Sequence, residues 1–241
     1  MRKEQGISLI ELMISVCLAS FLIILVMNLY LQNKKNYLTI HRLLERNLDL
    51  QLISDLIRQR LRRAGFTPCL SLNLLESRDS RNGKTNLDAL IIDENEFTIQ
   101  RMSEHFTLVL QQISSTALLL KSEVNFSAKE TILLADCYHA EVHQIAAVQK
   151  TTKGTLLHLE KAIFFQFVAP IYGGEWLHET FYMQKNKKGM EALFYRQNHP
   201  EELSTAVKQL LITAIGRQRV RVSLGLENSA PYAIEAKVRN E

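Results

Sequence analysis

Residues 7–64 contain neither proline nor glycine, and this uninterrupted stretch constrains the fold more than any other feature of the 241-residue chain. As one helix it would be about 87 Å long. Its first part, residues 7–31, is apolar except for Ser8, Glu11, Ser15, Ser20, Asn28 and the phenol of Tyr30. That part rises about 37 Å as a helix, enough to cross a hydrocarbon core of ~30 Å with some tilt. Beyond it, Leu44, Leu48, Leu52 and Leu56 recur at four-residue steps, with Ile53, Ile57 and Leu61 one position round. Charged residues lie between them, which predicts an amphipathic helix whose apolar stripe faces a globular partner. Gly65, followed by Phe66 and Pro68, is placed to stop the helix.

Glu11 is the only charged residue in 7–31. An ionised group at a membrane-helix centre costs about 2.5–3.5 kcal/mol even on the lenient insertion scale, so its presence needs a reason. A cleaved secretory signal fits poorly, because the apolar run is too long and no small-x-small site closes it. A lipoprotein site at Cys17 fails because bulky Val16 precedes it. A plain membrane anchor accounts for everything except Glu11.

The basic hexapeptide MRKEQG ends in Gly6, and Glu11 is the fifth residue after it. In this respect GISLIELMISV resembles the type IV pilin-like class, with Ile7 standing where the class usually carries Phe. The resemblance implies that an aspartic membrane peptidase cuts between Gly6 and Ile7 and that Ile7 becomes the N-methylated first residue. It also implies that Glu11 is the docking charge of assembly and that the leader is cytoplasmic. Basic residues are nevertheless more numerous after the span (Lys34, Lys35, Arg42, Arg46) than before it (Arg2, Lys3), against the usual charge bias of such an anchor. Cleavage would create an amine on Ile7 that must sit among apolar helices, where Glu11 of the same or a neighbouring chain can pair with it. Removing one partner of such a pair is costly, so the pair can set register.

The remainder reads as a head domain. Residues 66–86 look like a polar loop, and short β-like segments follow at 87–92, 97–102, 106–112, 115–121, 139–148, 155–160, 176–184, 190–197, 217–226 and 233–240. PEELSTAVKQLL (200–211) reads as a short helix. One long helix followed by many short strands implies an α+β fold with an antiparallel sheet. LIRQRLRRAGFTPC (56–69), the Asp136–Cys137 pair ahead of a strand, the hairpin FYMQKNKKGMEALFYRQ, the stretch ELSTAVKQLLITAIGRQRVRVSL and the terminal KVRNE resemble PilW-type minor pilins.

Of three cysteines, Cys17 lies in the apolar run. If the rest of the chain is exported, Cys69 and Cys137 form the natural disulfide pair. Cys137, His139, Glu141 and His143 alternate on one strand face, a zinc-like set of ligands, but same-face residues diverge over ~13 Å and no second element is evident, so no metal is expected. Arg58, Arg60, Arg62 and Arg63 read as a solvated face favoured by the helix dipole. Arg217, Arg219 and Arg221 read as a charged face protecting an edge strand. Asp93, Glu94 and Glu96 lack the spacing of a calcium loop, and His178–Glu179 lacks the second histidine of a zincin. With no phosphate loop, dinucleotide glycines or nucleophile elbow, and a formal charge of only +4, the chain reads as neither an enzyme nor a nucleic-acid binder; no cofactor is expected.

The expected organisation is a leader (1–6), a transmembrane or filament-core helix (7–31), its amphipathic continuation (32–65) and a periplasmic α+β head (66–241). The resemblance implies a minor pilin of a type IV pilus, anchored by one pass in the inner membrane with its head in the periplasm. It would be incorporated into the pilus and act in a priming or tip complex. Its partners would be prepilin peptidase/methyltransferase, other minor pilins and the major pilin, with nucleic acid met only indirectly through the pilus. The mature charge would be +3, the formal +4 less the leader's +1 from Arg2 and Lys3 against Glu4. Two alternatives are a J-like pseudopilin of type II secretion and a membrane-anchored periplasmic binding domain unrelated to pili.

Overall fold

The structure is a computed structural model and describes residues 9–216, 219–227 and 229–238. It has one long N-terminal helix followed by an antiparallel β domain, an α+β fold as expected. The helix α1 runs Leu9–Arg62. The chain divides into two compact units, residues 1–52 and 53–241, so the last ten helical residues belong with the head. The reason lies in which side chains are covered. Ile53, Ile57, Leu61 and Ala64 are buried, whereas Leu44, Leu48 and Leu52 are exposed, Leu52 by 71%. The stripe expected to face the head is therefore only partly correct. A four-residue step turns 400°, so a series of leucines at that spacing drifts by about 40° each time. Gly65 ends the helix with φ +70°, and a Cβ there would lie 2.7 Å from Ala89 Cβ. Its N–H donates to Gln100 O, delivering the chain onto a strand.

The strands are β1 (Glu76–Asp79), β2 (Leu90–Ile92), β3 (Glu96–Ser114), β4 (Ala117–Leu120), β5 (Thr131–Ala135), β6 (His139–Thr151) and β7 (Gly154–Leu159). They continue with β8 (Tyr172–Lys185), β9 (Glu191–Arg196), β10 (Pro200–Ser204), β11 (Val207–Ile215), β12 (Arg219–Leu226) and β13 (Ser229–Lys237). Strand β3 joins the two segments expected at 97–102 and 106–112, with an irregularity between Met102 and Phe106. It pairs with β8 along its first part and with β4 along its second. The pairings β3–β8–β5–β6–β7–β4–β3 close a ring of six strands, and β9 and β10 extend the sheet beyond β8. Strand β5 lines two cores at once. Ile132 and Leu134 join Leu118, Leu120, Ile145 and Leu157, while Leu133 and Ala135 join Leu72, Met102, Val142 and Trp176.

Two expectations are overturned. The segment 66–86 is not a plain loop, since it holds a 3₁₀ turn at Leu72–Leu74 and β1, which runs parallel to β6. The helix expected at 200–211 is instead β10 and the start of β11, which leads a separate three-stranded sheet β11–β12–β13. A bulge between Val207 and Gln209 accounts for the misreading. It spaces the buried residues Val207, Leu210 and Ile212 by three and then two, and the first interval imitates a helical period.

Full-length protein in detergent tests the assignment of helix faces. Ile57→Ala is expected to cost about 2–5 kcal/mol in chemical denaturation followed by tryptophan fluorescence, because it empties a closed site. Leu44→Ala is expected to stay within about 0.5 kcal/mol.

Candidate functional site

In residues 9–31 of α1 the large apolar side chains are exposed all around the helix, among them Leu9, Ile10, Phe21, Ile23 and Val26. The helix is long and apolar enough to cross a membrane. Glu11 stands in its first described turn. Gly6 and Ile7 lie outside the described residues. Cys17 is a free, exposed thiol on the same helix.

Cys69 and Cys137 are joined by a disulfide with a Cα–Cα distance of 5.2 Å and a sequence separation of 68. In the chain-entropy account a loop of this size stabilises by about 4 kcal/mol. The residues after the bridge do not form the zinc-like group considered from sequence. Among the described residues no cluster of three or more His, Cys, Asp or Glu is arranged to hold a metal. The carboxylates have other work. Asp136, fully buried, accepts the N–H groups of Tyr138 at 2.7 Å, His139 at 2.6 Å and Val168 at 2.7 Å. Burial acts to raise its pKa, but these amides outweigh it and hold the carboxyl below its ordinary range. Glu141, also fully buried, accepts the Ser80 hydroxyl and the N–H groups of Phe164 at 3.0 Å and Phe165 at 3.3 Å. His143 Nε2 lies 3.3 Å from its Oε1. Burial again opposes ionisation and is again overcome, by His143, Ser80 and the Phe164 amide, so its pKa is lowered. Two carboxylates thus anchor the segment between β7 and β8.

A second polar centre sits where the helix end meets the sheet. Glu179 on β8 is fully buried. Arg101 on β3 reaches it at 3.2 Å and 3.3 Å, Arg60 on α1 at 3.1 Å, and the Tyr195 hydroxyl donates to it at 3.0 Å. Burial and the Glu179 charge push the Tyr195 phenol up. Glu104 then links Arg101 and Arg63, each at 3.0 Å. The arginines expected on a solvated face are therefore divided: Arg60 and Arg63 are tied to the sheet, Arg58 pairs with Asp55 at 2.8 Å, and Arg62 is exposed. His178, beside Glu179, points to Gln100, 3.5 Å away. Asp93 and Glu96 bracket the β2–β3 turn, where the Asp93 N–H donates to Glu96 O.

Arg217 lies outside the described residues. Arg219 and Arg221 are exposed, but β12 is the central strand of its sheet, not an edge, and Arg221 pairs with Glu235 on β13 at 2.6 Å. Sequence reasoning missed the Glu179 centre and the segment 163–168. The only hint of the latter was its run of apolar letters, IFFQFV. Comparison with known protein families, characterised proteins and solved structures found no match to this chain.

The lowered carboxyls give a sign to the pH dependence. A carboxylate whose folded pKa lies below its unfolded value of ~4 stabilises above that value, and the gain is lost as pH falls through the folded pKa. Stability of the oxidised protein is therefore expected to fall steeply below about pH 4 in denaturant titrations, with Glu141→Gln showing a flatter slope. Reduction is expected to slow migration in non-reducing electrophoresis, and this shift should vanish in Cys69→Ser.

Proposed function

We propose that this chain is a type IV pilin-like subunit of the PilW type, cut between Gly6 and Ile7 and assembled through its N-terminal helix. It would act as a minor pilin in the priming or tip complex that starts pilus polymerisation. The observation that carries the reading is Glu11, a carboxylate one helical turn after Ile7 in an otherwise apolar run. Before cleavage the Ile7 nitrogen is a neutral amide; afterwards it is an ammonium group that can meet Glu11 of its own chain or a neighbour. A subunit would be accepted where amine and carboxylate coincide, because an apolar surround penalises either charge alone. N-methylation of Ile7 leaves that charge in place.

The exposed aliphatic surface of α1 agrees with helix-to-helix assembly. Past the apolar run, Tyr37, Leu44, Leu48 and Leu52 remain exposed. A disulfide in the head agrees with an oxidising compartment such as the periplasm. A J-like pseudopilin of type II secretion uses the same features; it differs in the system served. An anchored binding domain would leave Glu11 without a purpose.

Mass spectrometry of the mature protein is expected to find N-methylated Ile7 as the first residue. Retained Met1, or a cut elsewhere, would remove the pilin reading. Glu11→Ala is expected to be cut normally yet to be missing from sheared pili, since the peptidase reads the leader and docking needs the charge. Gene deletion should reduce pilus number and leave exoprotein secretion intact; the reverse pattern assigns the pseudopilin role.

A further inference from the structure

Between β7 and β8 the chain displays aromatic side chains on its surface. Phe164 is 62% exposed and Val168 54%, and Tyr138, next to the disulfide, is 63% exposed. Tyr138 and Phe164 are joined through a chain of neighbouring rings. His139 stacks on Phe165 at 4.9 Å between centroids, Phe165 meets Phe164 at 5.2 Å, and Tyr138 adjoins His139 at 6.3 Å. Scattered exposed apolar residues need no explanation, but a contiguous aromatic group on a loop marks an interaction surface.

The loop is also held in shape. Glu141 and Asp136, both fully buried, take the N–H groups of Phe164, Phe165 and Val168, and Ile163 N–H donates to Ser115 O. The bridge at Cys137 fixes the adjoining Tyr138. Ordering that a flexible loop would undergo on binding is therefore completed on folding.

Arg78 on β1 supplies the charge. Its guanidinium lies 4.2 Å above the Phe164 ring, and its Nε is buried with no hydrogen-bond partner. Arg60, Arg63, Arg81 and Arg101 each have a carboxylate partner, but among the described residues no ion pair includes Arg78. Contact with the ring restrains the guanidinium, whose planar fork can receive a carboxylate in two parallel bonds.

We propose that Arg78, Phe164 and Tyr138 form a docking surface for another protein, one that presents an Asp or Glu carboxylate beside an apolar side chain. The carboxylate meets Arg78, and the apolar group packs on the rings. An anionic bilayer fits less well. It gains from several cations clustered together, whereas the rings here adjoin the guanidinium of Arg78. The inference is independent of processing at Gly6 and holds whichever system the chain serves.

The test places a photoactivatable benzoylphenylalanine at Phe164 in the full-length protein in cells. The expected result is a crosslinked protein whose captured peptide, sequenced by mass spectrometry, contains an Asp or Glu. Its yield should drop about tenfold with Arg78→Glu. Exchanging the partner acid for Arg should restore it. An unchanged melting temperature and disulfide shift check that Arg78→Glu still folds. Crosslinks to lipid alone, no crosslink, or a yield indifferent to Arg78→Glu would each overturn the proposal.

Discussion

Glu179 sits fully buried on β8, and the junction between the helix end and the sheet is organised around it. A carboxylate there needs partners that bring positive charge. Arg101 approaches from the adjacent strand, Arg60 from the helix, and the Tyr195 hydroxyl from β9. Apolar burial of Ile53, Ile57 and Leu61 supplies adhesion at this end of α1, but a hydrophobic face tolerates rotation and sliding. The guanidinium of Arg60 can reach Glu179 from one turn of the helix only. Taking away one member of such a group leaves an uncompensated buried charge, so the arrangement selects a single seat for helix residues 53–62 even where its net stabilisation is small. The chain from Glu104 to Arg63 repeats the device one turn later.

A different solution serves the β5–β6 turn and strand β6. Asp136 and Glu141 are buried with no arginine pairing to them among the described residues; Asp136 takes the N–H groups of Tyr138, His139 and, from far along the chain, Val168, while Glu141 takes His143, the Ser80 hydroxyl and the distant N–H groups of Phe164 and Phe165. Amides cannot leave or rotate away as side chains do, so each bond fixes main chain. The β7–β8 segment gains a defined path this way, although it contains neither helix nor strand. The disulfide at Cys137 and the polar strand β1 belong to the same arrangement. Ser80 at the end of β1 donates to Glu141, and Asp79 is held by Arg81 at 2.8 Å.

These solutions explain what could be read from the sequence. The long helix was legible because nothing in residues 7–64 can break it, and so was the Cys69–Cys137 pair, once export is assumed. The strand segments within 97–121 were legible as short β-like runs, and the hairpin FYMQKNKKGMEALFYRQ through its polar Lys–Asn–Gly turn. Strand β5 was not, since TILLA faces a core on each side and therefore shows no alternation. Strand β1 was hidden for the opposite reason. Its residues Glu-Ser-Arg-Asp are all polar, and the burial of Ser77 and Asp79 depends on partners outside the strand, the Leu87 N–H for Ser77 and Arg81 for Asp79. Glu179 carried no signal either, because its partner Arg101 lies 78 residues away and no local pattern records such a pairing.

The contrast between head and helix bears on Glu11. In the head, a folded sheet can bring donors to a carboxylate from anywhere in the chain. A straight helix cannot: side chains on it meet only neighbours three or four residues away. For a charge in residues 7–31, the groups that can reach it are those of the adjoining turns or of another molecule. In the sequence, Ile14 and Ser15 follow Glu11 by three and four positions, and Ile7, whose nitrogen the proposed cut would free, precedes it by four. Hydrolysis before Ile7 would turn that nitrogen from neutral to cationic. Under the proposed reading, processing and docking are therefore one electrostatic event: the cut that frees Ile7 also creates a cation that Glu11 of the same or a neighbouring chain can meet among packed apolar helices.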